Sequence, residues 1–265
     1  FNMCDYKKLS NQPLVFVLAE FRFSPILGIK EYIPKIQDAL RNKLPILRNT
    51  ETQEITVSPN GISLEAQANW EFISKNSHTA ASVNQNRLLF MTSEYERFNG
   101  FEENCDFLLQ TIIDVINPSL CLGLGLRYSD TIFNIEGKGS IEDFVQPRLY
   151  NNDDLKLSGS LLRQTNETLW RTTEGAIFIR SIYGEDKVLV WPDAENLPIA
   201  IEKSSDKPVK RLLLDIDHVW NAQEEESGPL DFNKGLILSK LSNMHKISRK
   251  AFWNVTTEQA KEAWK

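Results

Sequence analysis

Histidine and cysteine are scarce in this chain, three of each among 265 residues, and that scarcity leaves little material for the common kinds of catalysis. Cys4, Cys105 and Cys121 are widely spaced, odd in number and form no C-x-x-C pair, which argues against a disulfide framework or a zinc site. No apolar run approaches the roughly 18 residues needed to span a bilayer, and the start lacks the basic and then apolar layout of a secretory leader. Phe1 and Asn2 precede Met3 and are set aside as lying before the expected native start. The expected location is the cytoplasm, with no membrane partner. There is no excess of positive charge: the formal charge is −6, so no global field gathers phosphates, and nucleic acid is not an expected partner. The short basic clusters Lys207, Lys210, Arg211 and Lys246, Arg249, Lys250 read as solvated faces. The phosphate-loop, nucleophile-elbow, H-E-x-x-H and EF-hand spacings are all absent. Gly123 and Gly125 lack the third glycine and following helix of a dinucleotide loop. No cofactor or metal is therefore expected.

What is present is an ordinary globular composition, 41% hydrophobic, 10% aromatic and 25% charged, far from that of a disordered chain. Residues 13–24, PLVFVLAEFRFS, read as a strand buried on both faces. Ile29, Ile33, Ile36, Leu40 and Leu44 follow at helical spacing and predict a helix that stops before Pro45. From Thr52 to Tyr95 the pattern is an antiparallel meander: ITVS, a Pro59-Asn60-Gly61 turn, ISLEAQ, WEFISK, TAASV and RLLFMTSEY. Phe101, Cys105, Leu108, Ile112 and Val115 mark a second helix, ended by Asn117 and Pro118.

The same order then restarts. Residues 120–133 read as a strand and Ile141 to Val145 as a short helix. Strands are expected near 159–171, 176–183, 187–191 and 210–219, then a helix from Phe232 to Phe252 and a helical tail to Trp264. Phe21-Arg22-Phe23-Ser24 lines up with Leu126-Arg127-Tyr128-Ser129, and Arg87-Leu88-Leu89-Phe90 with Arg211-Leu212-Leu213-Leu214. The expected fold is α+β: two related β-α-β(3–4)-α units, residues 3–118 and 119–265, either separate or sharing one core. Curved antiparallel sheets would carry long packed helices, as in TATA-binding-protein-like or helix-grip folds. Loops around 134–158 and 192–208 would absorb the extra length of the second unit.

Three clusters are candidates for function. Asp215 and Asp217 in LLLDIDHVW share one face of a strand and are weak catalytic candidates, whereas alternation sends His218 to the other face. A solvent-facing acidic strand end is the plainer reading. Glu20, Arg22 and Arg127 sit in apolar strands. There the arginines are either structural ion pairs or, converging near a pseudo-twofold axis with Tyr128 beside them, a seat for an anion or a partner's carboxylate. His245 borders the apolar stripe of the long helix and is the third weak catalytic candidate, and His78 reads as an ordinary loop residue. Trp264 must dock on its own body or on a partner, and the cluster of tryptophans in the second half belongs either to core or to an interface.

PLVFVLAEFRFSP, GLRYSD, LDIDH and HKISRKAFWNVTTEQAKEAW together resemble a sporadically distributed family of uncharacterised bacterial proteins. The resemblance spans nearly the whole chain and brings no activity with it; its patchy distribution implies a setting in antiviral defence or toxin biology. From the residues, the first expectation is a non-enzymatic binding module for a protein, peptide or small ligand. The second is a nucleotide- or RNA-directed enzyme using the acidic strand end and His245. The third is an immunity or antitoxin-type protein partner, and a second copy of the chain is a further candidate partner.

Overall fold

The computed structural model describes residues 11–58, 61–150, 159, 161–224 and 228–265, with the side chains of residues 52–66 outside that description. Cys4, Pro59, Asn60, residues 151–158 of the loop expected around 134–158, and Ser160 of the strand expected at 159–171 therefore lie outside the described residues. The chain is mixed α and β. Ten antiparallel strands form one open sheet: β1 (Leu14–Phe23), β2 (Ile46–Ser58), β3 (Gly61–Ile73), β4 (Thr79–Val83), β5 (Arg87–Thr92), β6 (Leu120–Phe133), β7 (Arg163–Thr172), β8 (Gly175–Val188), β9 (Ser204–Asn221) and β10 (Leu230–Asp231). The strand order is β2-β3-β4-β5-β1-β6-β9-β8-β7, with β10 pairing β6 off that path. Among the described residues five α-helices accompany them: α1 (Ile29–Leu40), α2 (Phe98–Val115), α3 (Ile141–Phe144), α4 (Lys234–Val255) and α5 (Glu258–Ala263). Among the described residues no helix is long and apolar enough to cross a membrane.

Apolar periodicity explains which side of the sheet the helices cover. Val17, Ala19, Phe21 and Phe23 of β1 point to one face, where they meet Ile29, Ile33, Ile36 and Leu40 of α1, Phe101, Leu108 and Ile112 of α2, and Ile237, Leu241 and Met244 of α4. Leu124 and Leu126 of β6 and Trp220 of β9 join the same cluster, so apolar burial continues across the junction between the two halves. A second cluster sits under α3 and α5, with Leu212, Leu214 and Ile216 of β9 against Phe144, Val255 and Trp264.

Among the described residues the opposite face carries no α-helix. Its covering is segment 189–203, whose Val190, Ala194 and Ile199 pack on Phe16, Ile73, Ala80 and Met91. Part of the segment where the sequence places extra length thus serves as a lid over one end of this face. It is tied down by Ala200 N–H donating to the Ser77 carbonyl at 2.6 Å and Thr131 Oγ1 donating to the Leu189 carbonyl at 2.6 Å. The expectation that β1 is buried on both faces holds for Phe16 and Val17, weakens at the half-buried Leu18 and ends at Glu20 and Arg22.

Other boundaries shift for physical reasons. Helix α1 ends at Leu40, and Leu44 is buried from the following turn instead. ISLEAQ and WEFISK form one strand, β3, because β2 pairs with it without interruption from Ile46↔Ile73 to Ser58↔Gly61. The stretch 176–183 and Lys187–Val188 merge into β8, where β9 pairs through the polar Gly184 to Asp186 and the register shifts before Val188, whereas Leu189–Trp191 leave the sheet for the covering segment. Lys210 and Arg211 are not a solvated basic face: Lys210 pairs with Glu142 at 2.6 Å, and Arg211, 3% exposed, donates to the carbonyls of Val188 and Gly184.

Thr172 and Gly175 close the β7–β8 hairpin. Gly175 has φ +128°, and a Cβ at this position would lie only 2.2 Å from the Val219 carbonyl oxygen. Gly175→Ala is expected to destabilise the protein by about 2 kcal/mol or more. Gly100→Ala, in helix α2 with open space around it, should be neutral or stabilising by about 0.5–1 kcal/mol. Urea denaturation of both variants checks the contrast.

Candidate functional site

The helix-free face brings together charges from five adjacent strands, β5, β1, β6, β9 and β8. Arg127 of β6 lies opposite Asp217 of β9, and Asp215 lies opposite Arg180 of β8. Asp215 is fully buried and accepts from Arg127 Nε at 2.7 Å and from Arg180 Nε and Nη2 at 3.0 and 2.5 Å. The remaining Arg127 nitrogens donate to both carboxylate oxygens of Asp193 at 2.9 and 2.8 Å, a two-pronged pair that pins the 189–203 segment to the sheet. Burial works against the Arg127 charge, and the hydrogen bonds and charges of Asp193 and Asp215 outweigh it, so its pKa lies above the ordinary arginine value. Asp217 is pushed up to about 6 by burial and then by the Asp215 charge, against the pull of Arg127 and Arg180.

This geometry corrects the picture of a solvent-facing acidic strand end. Asp215 and Asp217 sit well inside β9, and Asp215 is wholly enclosed. His218 does point the other way: Nδ1 donates to the Met244 carbonyl at 3.2 Å, and Nε2 is 2.9 Å from the Thr172 hydroxyl. Among the described residues no group of His, Cys, Asp and Glu could hold a metal ion.

Further along the same face the pairing is looser. Glu20 lies 3.5 Å from Arg22 and 3.6 Å from Arg87, its neighbours on β1 and β5, with Arg22 half exposed. Arg22 and Arg127 thus share a face while differing in availability: Arg127 has all three nitrogens committed, and among the described residues Arg22 has one long ion pair, to Glu20. Arg22 also lines a cavity of about 370 Å³ with Phe23, Pro25, Asn86, Asn221 and Gln223.

The remaining candidates lie on the helix side. His245 of α4 stacks on Phe98 at 4.0 Å between ring centroids, and its Nδ1 is 2.8 Å from Tyr128 Oη. Burial, then the charges of Arg249 and Lys246, pushes its pKa down to about 4. The sheet therefore separates His245 and Tyr128 from Asp215 and Asp217. Trp264 is 2% exposed and packs on Phe144 and Phe252, so it docks on its own body. His78 keeps a local role, with Nδ1 2.8 Å from Ser93 Oγ.

Sequence reasoning missed Arg87, Arg180, Asp193 and Asp130. Arg180 had a signal, a lone charge in the apolar run AIFIRSIYG; Asp193 sits in a loop and had none. Asp130, on β6, is 3% exposed and its Oδ2 has no hydrogen-bond partner. Burial, and then the Asp215 charge, pushes its pKa up to about 8. Compared with protein-family models and with curated proteins, the chain matches none.

These carboxylates generate two expected outcomes. Asp215→Asn leaves two largely buried guanidinium groups without their shared anion and should cost about 3–5 kcal/mol of stability in urea denaturation. Asp130 has a folded pKa above its unfolded value, so the folded state holds the extra proton. Its contribution is complete below about pH 4 and is lost as pH rises through about 8. Asp130→Asn should flatten the decline in stability over that window and leave the variant more stable than the parent at pH 8.5, measured by thermal unfolding across pH.

Proposed function

We propose that the protein is a non-enzymatic binding module, and that the Arg22 end of its helix-free face receives a carboxylate or phosphate group of a small ligand or peptide. The observation that carries this reading is the contrast between the arginines: Arg127 is saturated, while Arg22, half exposed with one long ion pair among the described residues, borders a cavity also lined by the amide-bearing residues Asn86, Asn221 and Gln223. Amides and a half-exposed guanidinium supply several donors around one small space, the chemistry that an oxyanion needs. An enzyme built on Asp215, Asp217 and His245 is not favoured, because those groups lie on opposite sides of the sheet and share no cleft.

The same reading includes a duplicated fold. The two runs β1-α1-β2-β3-β4-β5-α2 and β6-α3-β7-β8-β9-α4 have one grammar, and from the central β1–β6 pair the order runs outward as β5-β4-β3-β2 and as β9-β8-β7. We read this as two copies of a TATA-binding-protein-like or helix-grip-like unit, the second with α1 reduced to the single turn of α3. The tetrapeptide matches support it only in part. Arg22 pairs with Arg87, whereas Arg127 pairs with Asp217 and Arg211 with Phe133, so the two matches do not fall at equivalent rungs.

Thermal shift with millimolar inorganic phosphate and citrate tests the site. Both anions should raise the melting temperature of the parent, and Arg22→Ala should lose that response while keeping its ligand-free melting temperature within a degree or two. Equal shifts in parent and variant, or none in either, would remove Arg22 as the seat.

A further inference from the structure

We infer that two copies of this chain associate edge to edge through β7, antiparallel and symmetric about Leu169, joining their sheets into one. The inference is independent of what Arg22 binds. It starts from the position of β7, last in the strand order, where among the described residues nothing pairs its outer side. Leu169 and Trp170 are 58% and 59% exposed at its centre, and Leu162 just before it is 80% exposed. An edge strand with open backbone donors and acceptors and uncovered apolar side chains is a template for another strand.

The hairpin fixes which backbone groups face outward. Thr172 and Gly175 flank a two-residue turn and the β7–β8 register runs unbroken to Arg163↔Gly184. The hydrogen-bonded pairs with β8 therefore fall at Thr172, Trp170 and Thr168. The N–H and C=O groups of Arg171, Leu169 and Glu167 consequently point to the open edge. A twofold axis through Leu169 sets Leu169 opposite the second copy's Leu169, and Glu167 opposite its Arg171, twice. Every residue so matched has outward backbone groups, and all three side chains lie on the helix-free face. On the other face each Thr168 meets a Trp170.

Self-complementarity of charge is what selects a second copy over an unrelated strand. Shifting the axis one residue earlier, to Thr168, sets Glu167 against Leu169. A shift to Glu167 sets that carboxylate against itself and Arg163 against Arg171; a shift to Trp170 sets Arg171 against Leu169. Among axes from Glu167 to Trp170 only the one at Leu169 matches opposite charges and apolar groups together, and all its matched residues lie within β7, whereas an axis at Thr165 finds its apolar match, Leu161, only outside the strand. Arg171 is available for this role: among the described residues of its own chain it pairs with Glu224, at 3.6 Å with both side chains more than half exposed, a contact that stabilises little.

Sedimentation equilibrium over a range of concentrations, with native mass spectrometry, tests the pairing. The parent should form a concentration-dependent dimer. Glu167→Arg and Arg171→Glu should each weaken it by about tenfold, the double variant should restore it, and the two single variants mixed together should form a mixed dimer. Leu169→Pro removes an outward N–H without touching the β8 ladder and should leave a monomer with the parent's circular dichroism. A parent that is monomeric at every concentration overturns the inference. So does a dimer indifferent to the single reversals, or one that the double variant fails to restore.

Discussion

The antiparallel ladder between β1 and β6 is the constraint on which the rest of the molecule depends. It joins residues roughly a hundred or more positions apart in sequence, from Phe23↔Cys121 to Leu14↔Asp130, and contacts at that separation form only after a long loop has been closed. It also decides what Gly123 and Gly125 are for. Gly123 lies opposite Arg22 and Gly125 opposite Glu20; a Cβ at these positions would come within 3.0 Å of Arg22 Cδ and 3.3 Å of Glu20 Cβ. The G-L-G stretch thus leaves the surface of β6 low enough for the charged side chains of β1 to lie across it. Its glycines serve side-chain packing, where the spacing alone faintly resembles a nucleotide loop.

Across the next two strands the structure turns on one carboxylate. Asp215 is enclosed between Arg127 and Arg180, and Arg127 in turn holds Asp193. Buried ion pairs of this kind contribute less to net stability than to the choice of one arrangement, since removing any single partner strands the others in a medium that solvates them poorly. Here the chosen arrangement is the seating of segment 189–203. With Asp193 fixed, Val190, Ala194 and Ile199 cover Phe16 and Met91, closing one end of the helix-free face and leaving the Arg22 end open. The division of that face into a saturated part and an available part follows from this one network.

Much of the architecture is legible in the sequence because period-two and helical apolar patterns dominate it. Strand 120–133 is legible to its limits, and the alternation through LLLDIDHVW places Asp215 and Asp217 on one face and His218 on the other. Burial of the acids is not legible. An acidic pair near the end of an apolar run looks solvent-facing until the partners arrive, and Arg180, Arg127 and Asp193 come from three distant segments. The same limit hides the loss of convergence between Arg22 and Arg127. Their matching tetrapeptides indicate similar strands, while the availability of each guanidinium depends on carboxylates that no local pattern announces. Asp130 escapes notice for a related reason: one of several polar residues in GLRYSDTIF, it reads as part of a strand's exposed side, yet it lies buried on a strand flanked by β1 and β9.

The outermost strand shows how one set of charges can both protect an edge and specify a contact. Arg163, Glu167 and Arg171 recur every fourth residue along one face of β7, and charges on an edge ordinarily discourage pairing. In a uniform row of one sign that protection would hold in every register. Alternating signs break the equivalence: a foreign strand meets mismatched charge in most alignments, while an antiparallel copy of the strand itself meets its complement when centred on Leu169. The apolar side chain at that centre meets its own copy in this alignment, whereas a shift of the axis by one residue in either direction sets it against a charge. Specificity then arises from the coincidence of two weak interactions at one register, and neither exposed Leu169 nor the charge pattern would supply it alone.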